Sequence, residues 1–316
     1  MTPPLRILFL GSGAFGLPSL QALCRHHDVV GVVSQPDRRA GRGRTPTPTP
    51  ITQHALEHDP APLFRPDNIN EPGVIDTLRA LRADAWVVIA FGQKLSQDLL
   101  QDQFACNLHA SLLPRWRGAS PINAAIVARD TLVGNTIITI AERMDAGEIL
   151  GSQSIERDPM CNAGELHDRL AQMGPDLILD VLAGHATGMI QPQPQDESLV
   201  THAPKLSTSD GWIDLARPAE ECQARVHGLS PWPGVRVHLD DQPLKLCRVG
   251  VAPASPTSAP GTLLDSQRGL VACGDNTALE LLEIQPPGKR IMAWADYARG
   301  RSLPTDGMLQ GITPPC

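Results

Sequence analysis

Residues 5–20 read LRILFLGSGAFGLPSL, and this stretch already indicates the class of fold. The run LRILFLG (5–11) is continuously apolar and closes on a glycine, which is typical of a buried parallel strand. Pro18 fits only the first turn of a helix, so a helix is predicted from Gly16 to His26. A strand followed at once by a helix is the repeating unit of an α/β fold.

The same alternation continues through the first two hundred residues. Further strands are predicted at DVVGVVS (28–34), DAWVVIAFG (84–92), FACNLHASLLP (104–114) and NTIITIAE (135–142), and a long helix at 164–184. From Trp212 onward the segments are short, strand-like and separated by Pro, Gly and Ser. We therefore predict a Rossmann-like parallel-sheet domain over 1–190, a linker over 191–211, and a small β-barrel (OB-like) domain over 212–316.

Composition narrows the class of protein. The 316 residues are 41% hydrophobic, which is typical of a folded chain, and the net charge of -7 argues against broad nucleic-acid binding but allows a local basic patch. The seven cysteines form no C-x-x-C pair, which excludes a zinc ribbon and favours reduced thiols in a cytoplasmic protein. No signal peptide is predicted, and the longest apolar run, AWVVIAF (85–91), is too short to span a membrane.

The glycines of the opening stretch allow two interpretations. Gly11-Ser-Gly13-Ala-Phe-Gly16 fits the dinucleotide-binding pattern G-x-G-x-x-G. That site also needs an acidic residue after the second strand to hold the ribose hydroxyls, and Ser34 and Gln35 stand there instead. The alternative, a tight turn that lets the first helix pack closely on the sheet, is therefore favoured.

Two other patterns have an ordinary and a functional interpretation. HALEH (54–58) has the H-x-x-E-H spelling of a zinc protease, but its helix is short and no third ligand is evident, so no metal site is predicted. RRAGRGR (38–44) is either a solvated basic loop or a clamp for phosphate groups near the carboxyl ends of the strands.

The segment CNLHASLLPRWRGASPI (106–122) contains the strongest candidate for chemistry. Asn107 and His109 alternate along a strand, so their side chains share one face. An amide donor beside a histidine can hold a developing oxyanion, although a polar pair can also simply end a strand. Asp145, in RMDAGEIL (143–150), lies in a loop before the next strand, where Asp-Ala-Gly is also a common turn.

NLHASLLPRWRG, with DAGEIL downstream, resembles the formyltransferases that use 10-formyltetrahydrofolate. The resemblance runs nearly end to end and includes the linker QDESLVTHAPKLS and SPWPG (230–234). It implies a Rossmann-like formyltransferase domain followed by the barrel-like domain, 10-formyltetrahydrofolate as co-substrate, and no metal. It also implies that Asn107, His109 and Asp145 act as a catalytic trio in direct acyl transfer, with Asn107 and protonated His109 holding the oxyanion and Asp145 orienting His109.

The resemblance also implies the partners. The acceptor would be the α-amine of methionyl initiator tRNA, contacted by the arginine-rich insertion and by the C-terminal domain. Lys94 departs from the pattern, because many relatives are apolar there. The implied folate contacts are Ser111, Leu112, Leu113 and Pro114, and the implied tRNA contacts are Arg38, Arg39, Arg42 and Arg44.

Other enzymes fit part of this pattern. An amino-sugar nucleotide or another small amine is an alternative acceptor, and hydrolysis of formyl-folate is an alternative reaction. Glycinamide ribonucleotide is a weaker alternative, because that enzyme lacks the second domain. A nicotinamide oxidoreductase requires an acid at 34 or 35, which this chain lacks. A monomer is expected, since no apolar surface stripe is evident.

Overall fold

The computed structural model describes residues 3–40, 45–253, 258–299, 301, 303 and 307–311. These residues divide into two compact units. Unit 1 comprises the described residues of Met1–Arg117, Gly134–Ser154 and His167–Thr201, and unit 2 those of Gly118–Val133, Ile155–Leu166 and His202–Cys316. The domain boundaries predicted from the sequence at 190 and 211 stay a prediction. The observed division differs from them, because unit 2 also includes residues 118–133 and 155–166.

The secondary structure alternates in the first half of the chain and is strand-rich in the second. The helices are α1 (Leu17–His26), α2 (Pro50–His58), α3 (Pro72–Ala80), α4 (Gln97–Leu100), α5 (Pro121–Val127), α6 (Ala163–Ala186), α7 (Ala219–Gly228) and α8 (Trp294–Ala298). The strands are β1 (Arg6–Gly11), β2 (Asp28–Val33), β3 (Arg38–Ala40), β4 (Thr45–Thr47), β5 (Leu63–Phe64), β6 (Ala85–Ile89), β7 (Ala105–His109), β8 (Arg117–Gly118), β9 (Leu132–Thr139), β10 (Ile149–Glu156), β11 (His202–Ala203), β12 (Val235–Leu239), β13 (Gln242–Pro253), β14 (Leu263–Asp265), β15 (Leu270–Ala272), β16 (Thr277–Gln285), β17 (Met292–Ala293) and β18 (Leu309–Gly311).

Unit 1 is built on a seven-stranded sheet in the order β10-β9-β7-β6-β1-β2-β5. β1 pairs in parallel with β2 and β6, and the parallel pairing continues outward to β5 and β7. The central strand is buried on both faces, with no exposed surface from Ile7 to Leu10. This burial explains its continuous apolar run and confirms the predicted Rossmann-like class.

β9 reverses the direction of the sheet. It pairs antiparallel with β7, with Thr136 opposite His109 and Thr139 opposite Cys106. The end of β9 therefore lies beside the start of β7, and the loop after it must turn back to reach the carboxyl end of β7. This reversal positions the candidate site described below.

The glycine turn after β1 brings α1 against the sheet. A Cβ on Gly11 would lie 2.6 Å from the Phe9 ring and 3.0 Å from the Ile89 carbonyl oxygen, and one on Gly16 would lie 3.1 Å from the Phe9 ring. Side chains at these two positions would push the helix away from β1 and β6. The geometry agrees with the interpretation of these glycines as a packing turn.

Unit 2 contains a curled antiparallel sheet. Its strands follow the order β14-β15-β16-β13-β12-β18, and β17 pairs with β16. The two ends of this path meet, because Leu263 N donates to Gly307 O and Leu309 N donates to Gly261 O, both at 2.8 Å. The interior is apolar, and Leu246, Val249 and Leu279 are fully buried in it or nearly so. The small barrel-like domain predicted from the sequence is confirmed.

Two further observations concern the whole described chain. Every cysteine that the structure describes is a free thiol, and burial raises the pKa of the Cys106 thiol to about 12. None of the described helices is both long enough and apolar enough to cross a bilayer.

Candidate active site

β7 presents two polar side chains on one face of the sheet. Asn107 and His109 are two residues apart, whereas Leu108 points to the opposite face and approaches Gly174 of α6. His109 is 7% exposed and Asn107 is half-buried. Among the described residues, no group hydrogen bonds to the Asn107 carboxamide. The two N–H donors of this carboxamide are therefore available to hydrogen bond to a substrate.

His109 lies between two acceptors. Its Nε2 is 3.0 Å from the Trp116 carbonyl oxygen, and its Nδ1 is 3.7 Å from Asp145 Oδ2. A carbonyl oxygen can only accept, so Nε2 carries the hydrogen of that bond and Nδ1 faces the carboxylate. The Asp145 side chain is 13% exposed, so the pair is shielded from water. The structure brings His109 and Asp145 together across 36 residues of sequence.

The loop after β9 carries Asp145 back toward His109. Asp145 has φ 53°, an uncommon left-handed conformation for a residue other than glycine. A Cβ on Gly147 would lie 1.7 Å from the Thr139 carbonyl oxygen, so only glycine permits this approach. The Thr139 backbone N–H donates to the Glu148 carbonyl oxygen at 2.9 Å, and this bond closes the loop. The Asp-Ala-Gly motif is therefore both a turn and the support of the carboxylate.

The loop after β7 is held by a hydroxyl network. Ser111 Oγ donates to the Arg115 carbonyl oxygen at 2.7 Å. Thr136 Oγ1 donates to the Ser111 carbonyl oxygen at 2.7 Å, and it accepts from the Leu113 backbone N–H at 3.1 Å. Ser111 and Leu113 are buried, whereas Leu112 and Pro114 are partly exposed. The four predicted folate contacts therefore differ in solvent accessibility. Their role as folate contacts stays a prediction.

The sequence analysis missed two side chains that support the Asp145 loop, Arg117 and Gln195. The Arg117 guanidinium is 3% exposed and donates to Gln195 Oε1 from both Nε and Nη2. Gln195 Nε2 donates to the carbonyl oxygens of Asp145 and Gly147. Because these residues are 78 positions apart and Gln195 lies in the predicted linker, no periodicity or motif could have connected them.

Glu197 adds an ionic contact to the same group. Its two carboxylate oxygens accept from Arg117 at 2.9 Å and from Arg143 at 2.7 Å. The hydrogen bonds from Arg117 and Arg143 lower the pKa of the Glu197 carboxyl to about 2. Glu197 is therefore ionised at neutral pH, and it links Arg117 at the start of β8 to the loop that carries Asp145.

The predicted tRNA-contacting arginines are only partly described. Arg38 is exposed in the short β3–β4 hairpin, and its Nη2 donates to Gln35 Oε1 at 2.9 Å. Arg39 follows it in β3, and Arg42 and Arg44 lie outside the described residues. Lys94 is exposed, and its carbonyl oxygen accepts from Asn70 Nδ2 at 2.9 Å. The contacts of these residues with tRNA stay a prediction.

The remaining patterns have local contacts of their own. Ser34 and Gln35, where a dinucleotide site would need an acid, are buried, and Gln35 N donates to Ser12 Oγ at 3.1 Å. His54 and His58 stack in α2 beside a cavity of about 570 Å³. Within the described residues, no group of three His, Cys, Asp or Glu side chains could hold a metal ion.

Two family models match most of the chain. The formyl transferase model covers residues 5–182 and the formyl transferase C-terminal domain model covers residues 205–302. The fold and the site therefore define a formyl transferase, an enzyme class that uses formyl-tetrahydrofolate. The dinucleotide-binding alternative has no support from these comparisons.

Curated relatives match over nearly the whole length. The chain is 40% identical to a methionyl-tRNA formyltransferase of Solibacter usitatus (strain Ellin6076) over 302 residues, which is 95% of this chain and 96% of that protein. It is also 40% identical to the Methylococcus capsulatus enzyme of the same name over 303 residues, 95% of this chain and 98% of that protein. The chain belongs to the methionyl-tRNA formyltransferase family.

A solved structure shows the same fold at low identity. The N-formyltransferase from Helicobacter canadensis, in complex with folinic acid and dTDP-3-aminofucose, has a TM-score of 0.67 at 12% identity. The match covers 88% of this chain and 98% of that one. At this identity the likeness concerns the fold alone.

Proposed function

We propose that this chain transfers the formyl group of 10-formyltetrahydrofolate to the α-amine of methionyl initiator tRNA. The products are N-formylmethionyl-tRNA, used to initiate translation, and tetrahydrofolate. The observation that carries the proposal is the 40% identity to methionyl-tRNA formyltransferases along 95% of the chain. The similarity extends through both family models, so it includes the C-terminal domain.

We propose a direct acyl transfer at the trio. The neutral amine of the methionyl group attacks the formyl carbon, a new C–N bond forms, and the formyl oxygen becomes an oxyanion. Collapse of this intermediate breaks the bond to N10 of the folate, and the proton that leaves the amine ends on N10. The half-buried Asn107 amide supports an oxyanion-binding role, because preorganised donors in a shielded site stabilise developing charge strongly.

His109 and Asp145 have different roles in this proposal. The Trp116 carbonyl holds Nε2 and Asp145 faces Nδ1, and in this proposal the protonated ring of His109 supplies positive charge near the oxyanion bound by Asn107. Asp145, at 3.7 Å from Nδ1, orients the imidazolium and relays the amine proton. Ser111, Leu112, Leu113 and Pro114 are proposed to contact the folate, with the partly exposed Leu112 and Pro114 offering the accessible apolar surface.

The proposed tRNA surface has two parts. The first is the arginine-rich insertion with Arg38, Arg39, Arg42 and Arg44. The second is in unit 2, where Arg236 and Lys245 are opposite each other on β12 and β13. Lys245 Nζ donates to the Pro231 carbonyl oxygen at 2.6 Å, next to the 53% exposed Trp232. Like charges on directly opposed strand positions repel, and a phosphate group placed between them would relieve that repulsion.

We also propose that the enzyme is monomeric and cytoplasmic. The described free thiols are consistent with a reducing compartment. Sedimentation of the purified protein decides the oligomeric state.

A comparison of acceptors tests the proposed function. The purified chain is incubated with 10-formyltetrahydrofolate and, separately, methionyl initiator tRNA, glycinamide ribonucleotide, an amino-sugar nucleotide or no acceptor. We expect formylated product only in the reaction that contains the tRNA, measured by chromatographic separation of each labelled formylated acceptor from labelled 10-formyltetrahydrofolate and formate. Preferential formylation of the sugar nucleotide, or release of formate without acceptor at a comparable rate, would replace the proposal with the corresponding alternative.

A further inference from the structure

The Gln195 side chain joins Arg117, at the start of β8, to the loop that carries Asp145. Its Oε1 accepts from Arg117 Nε at 3.0 Å and from Arg117 Nη2 at 2.9 Å. Its Nε2 donates to the Asp145 carbonyl oxygen at 2.8 Å and to the Gly147 carbonyl oxygen at 2.7 Å. A carboxamide has two acceptor positions and two N–H donors, and all four are used here.

The two ends of this carboxamide do different things. The oxygen satisfies a guanidinium that is 3% exposed and would otherwise lack part of its hydrogen bonding. The nitrogen holds the carbonyls on either side of Ala146, in the loop where Asp145 has φ 53°. The donor half therefore maintains the unusual backbone that directs the Asp145 carboxylate toward His109.

We infer that Gln195 is a positioning residue for formyl transfer, acting through the backbone of Asp145. The inference rests on the proposed function, because it requires Asp145 to take part in the reaction. Glu197 reinforces the arrangement from the same segment by pairing with Arg117 and with Arg143, which precedes Asp145 by two residues. A segment predicted as a linker thus sets the geometry of a proposed catalytic group.

Gln195→Glu separates positioning from the simple pairing of Arg117. The glutamate keeps an acceptor for the guanidinium and forms an ion pair with it, but it loses the N–H donors to Asp145 and Gly147. We expect the single-turnover rate constant to fall about 10- to 100-fold, because small displacements of a reacting group have effects of this size. KM for both substrates should stay within about twofold, and the far-ultraviolet circular dichroism spectrum should match that of the wild type.

Gln193→Glu is the matched control. It makes the same chemical change two residues earlier, where the side chain is exposed, and should leave the rate constant unchanged. If Gln195→Glu transfers formyl at the wild-type rate, Gln195 serves only to satisfy Arg117 and the inference is wrong. A rise in KM with an unchanged rate constant would also overturn it.

A double-mutant cycle with Asp145→Asn keeps the test independent of folding. If Gln195 acts through Asp145, the second substitution should add less than about twofold to the loss that Asp145→Asn already causes. Multiplicative losses would contradict the inference while leaving the role of Asp145 intact. If Asp145→Asn alone transfers at the wild-type rate, the proposed role of Asp145 fails first, so the two failures are distinguishable.

Discussion

The side chains of β7 point alternately to the two faces of the sheet, and this alternation decides which of them reach the candidate site. Cys106 and Leu108 face apolar surroundings, while Asn107 and His109 share the opposite face. This sharing could be predicted from the sequence, because a period of two applies to any strand. The acceptors of His109 could not be predicted, because the Trp116 carbonyl and the Asp145 carboxylate reach it from two separate loops.

Asn107→Ala tests the oxyanion role at this scale. We expect kcat to fall about 10²- to 10³-fold, since this is the usual effect of losing one oxyanion donor. KM for the tRNA and for the folate should change little, because the interaction forms mainly in the transition state. Rapid-quench measurement of single-turnover formylation provides the rate constant. Near wild-type transfer would contradict a donor role for Asn107.

At the level of elements, the parallel core was predictable, and the reversed strand β9, next to the edge strand β10, was only partly so. Continuous apolar runs identified β1, β2 and β6 because a strand buried on both faces has no polar side. The alternating β9 was predicted near one end of the sheet, but its direction depends on pairing with β7, which local sequence does not encode. That direction decides that the Asp145 loop must turn back on itself.

Gly147→Ala tests this turn. The added Cβ would lie 1.7 Å from the Thr139 carbonyl oxygen, so the backbone beside Asp145 must move. We expect the free energy of unfolding to fall by about 1–3 kcal/mol, as for an overpacked position, and kcat to fall at least tenfold. Denaturant titration and initial-rate assays measure the two effects.

Gly73→Ala is the control for this comparison. The side chain would enter open space within helix α3, with no atom within 4 Å, and should be neutral or stabilising by up to about 1 kcal/mol. Equal stability and activity for the two alanine variants would show that the Thr139 contact does not constrain the loop.

At the scale of the whole molecule, the proposed tRNA binding has to occur despite a net charge of -7. Localised cations are therefore more important than the overall field. In unit 2, Arg236 is exposed and forms no ion pair with any described carboxylate, whereas Arg299 pairs with Asp296 at 3.2 Å. A parallel-sheet region followed by a β-rich region was predictable from the change in sequence pattern near residue 190, but this distribution of unpaired and paired charge was not.

Arg236→Ala should weaken tRNA binding and reduce the slope of log Kd against log salt concentration by about 1, the effect of removing one phosphate contact. Filter binding between 50 and 200 mM salt measures the slope. Arg299→Ala should alter it less, because Asp296 already neutralises that charge. An unchanged slope for Arg236→Ala would place the phosphate contacts elsewhere.

The contacts of Gln195 also determine where the catalytic region can be cut. The formyl transferase model ends at residue 182 and the sequence suggested a boundary at 190, yet the partners of Arg117 lie at 195 and 197. A fragment ending at either point would keep every strand of the parallel sheet but leave a buried guanidinium without these acceptors and the Asp145 loop without its tether. A fragment that keeps these contacts must extend at least through Glu197, so this part of the predicted linker belongs structurally to the unit that precedes it.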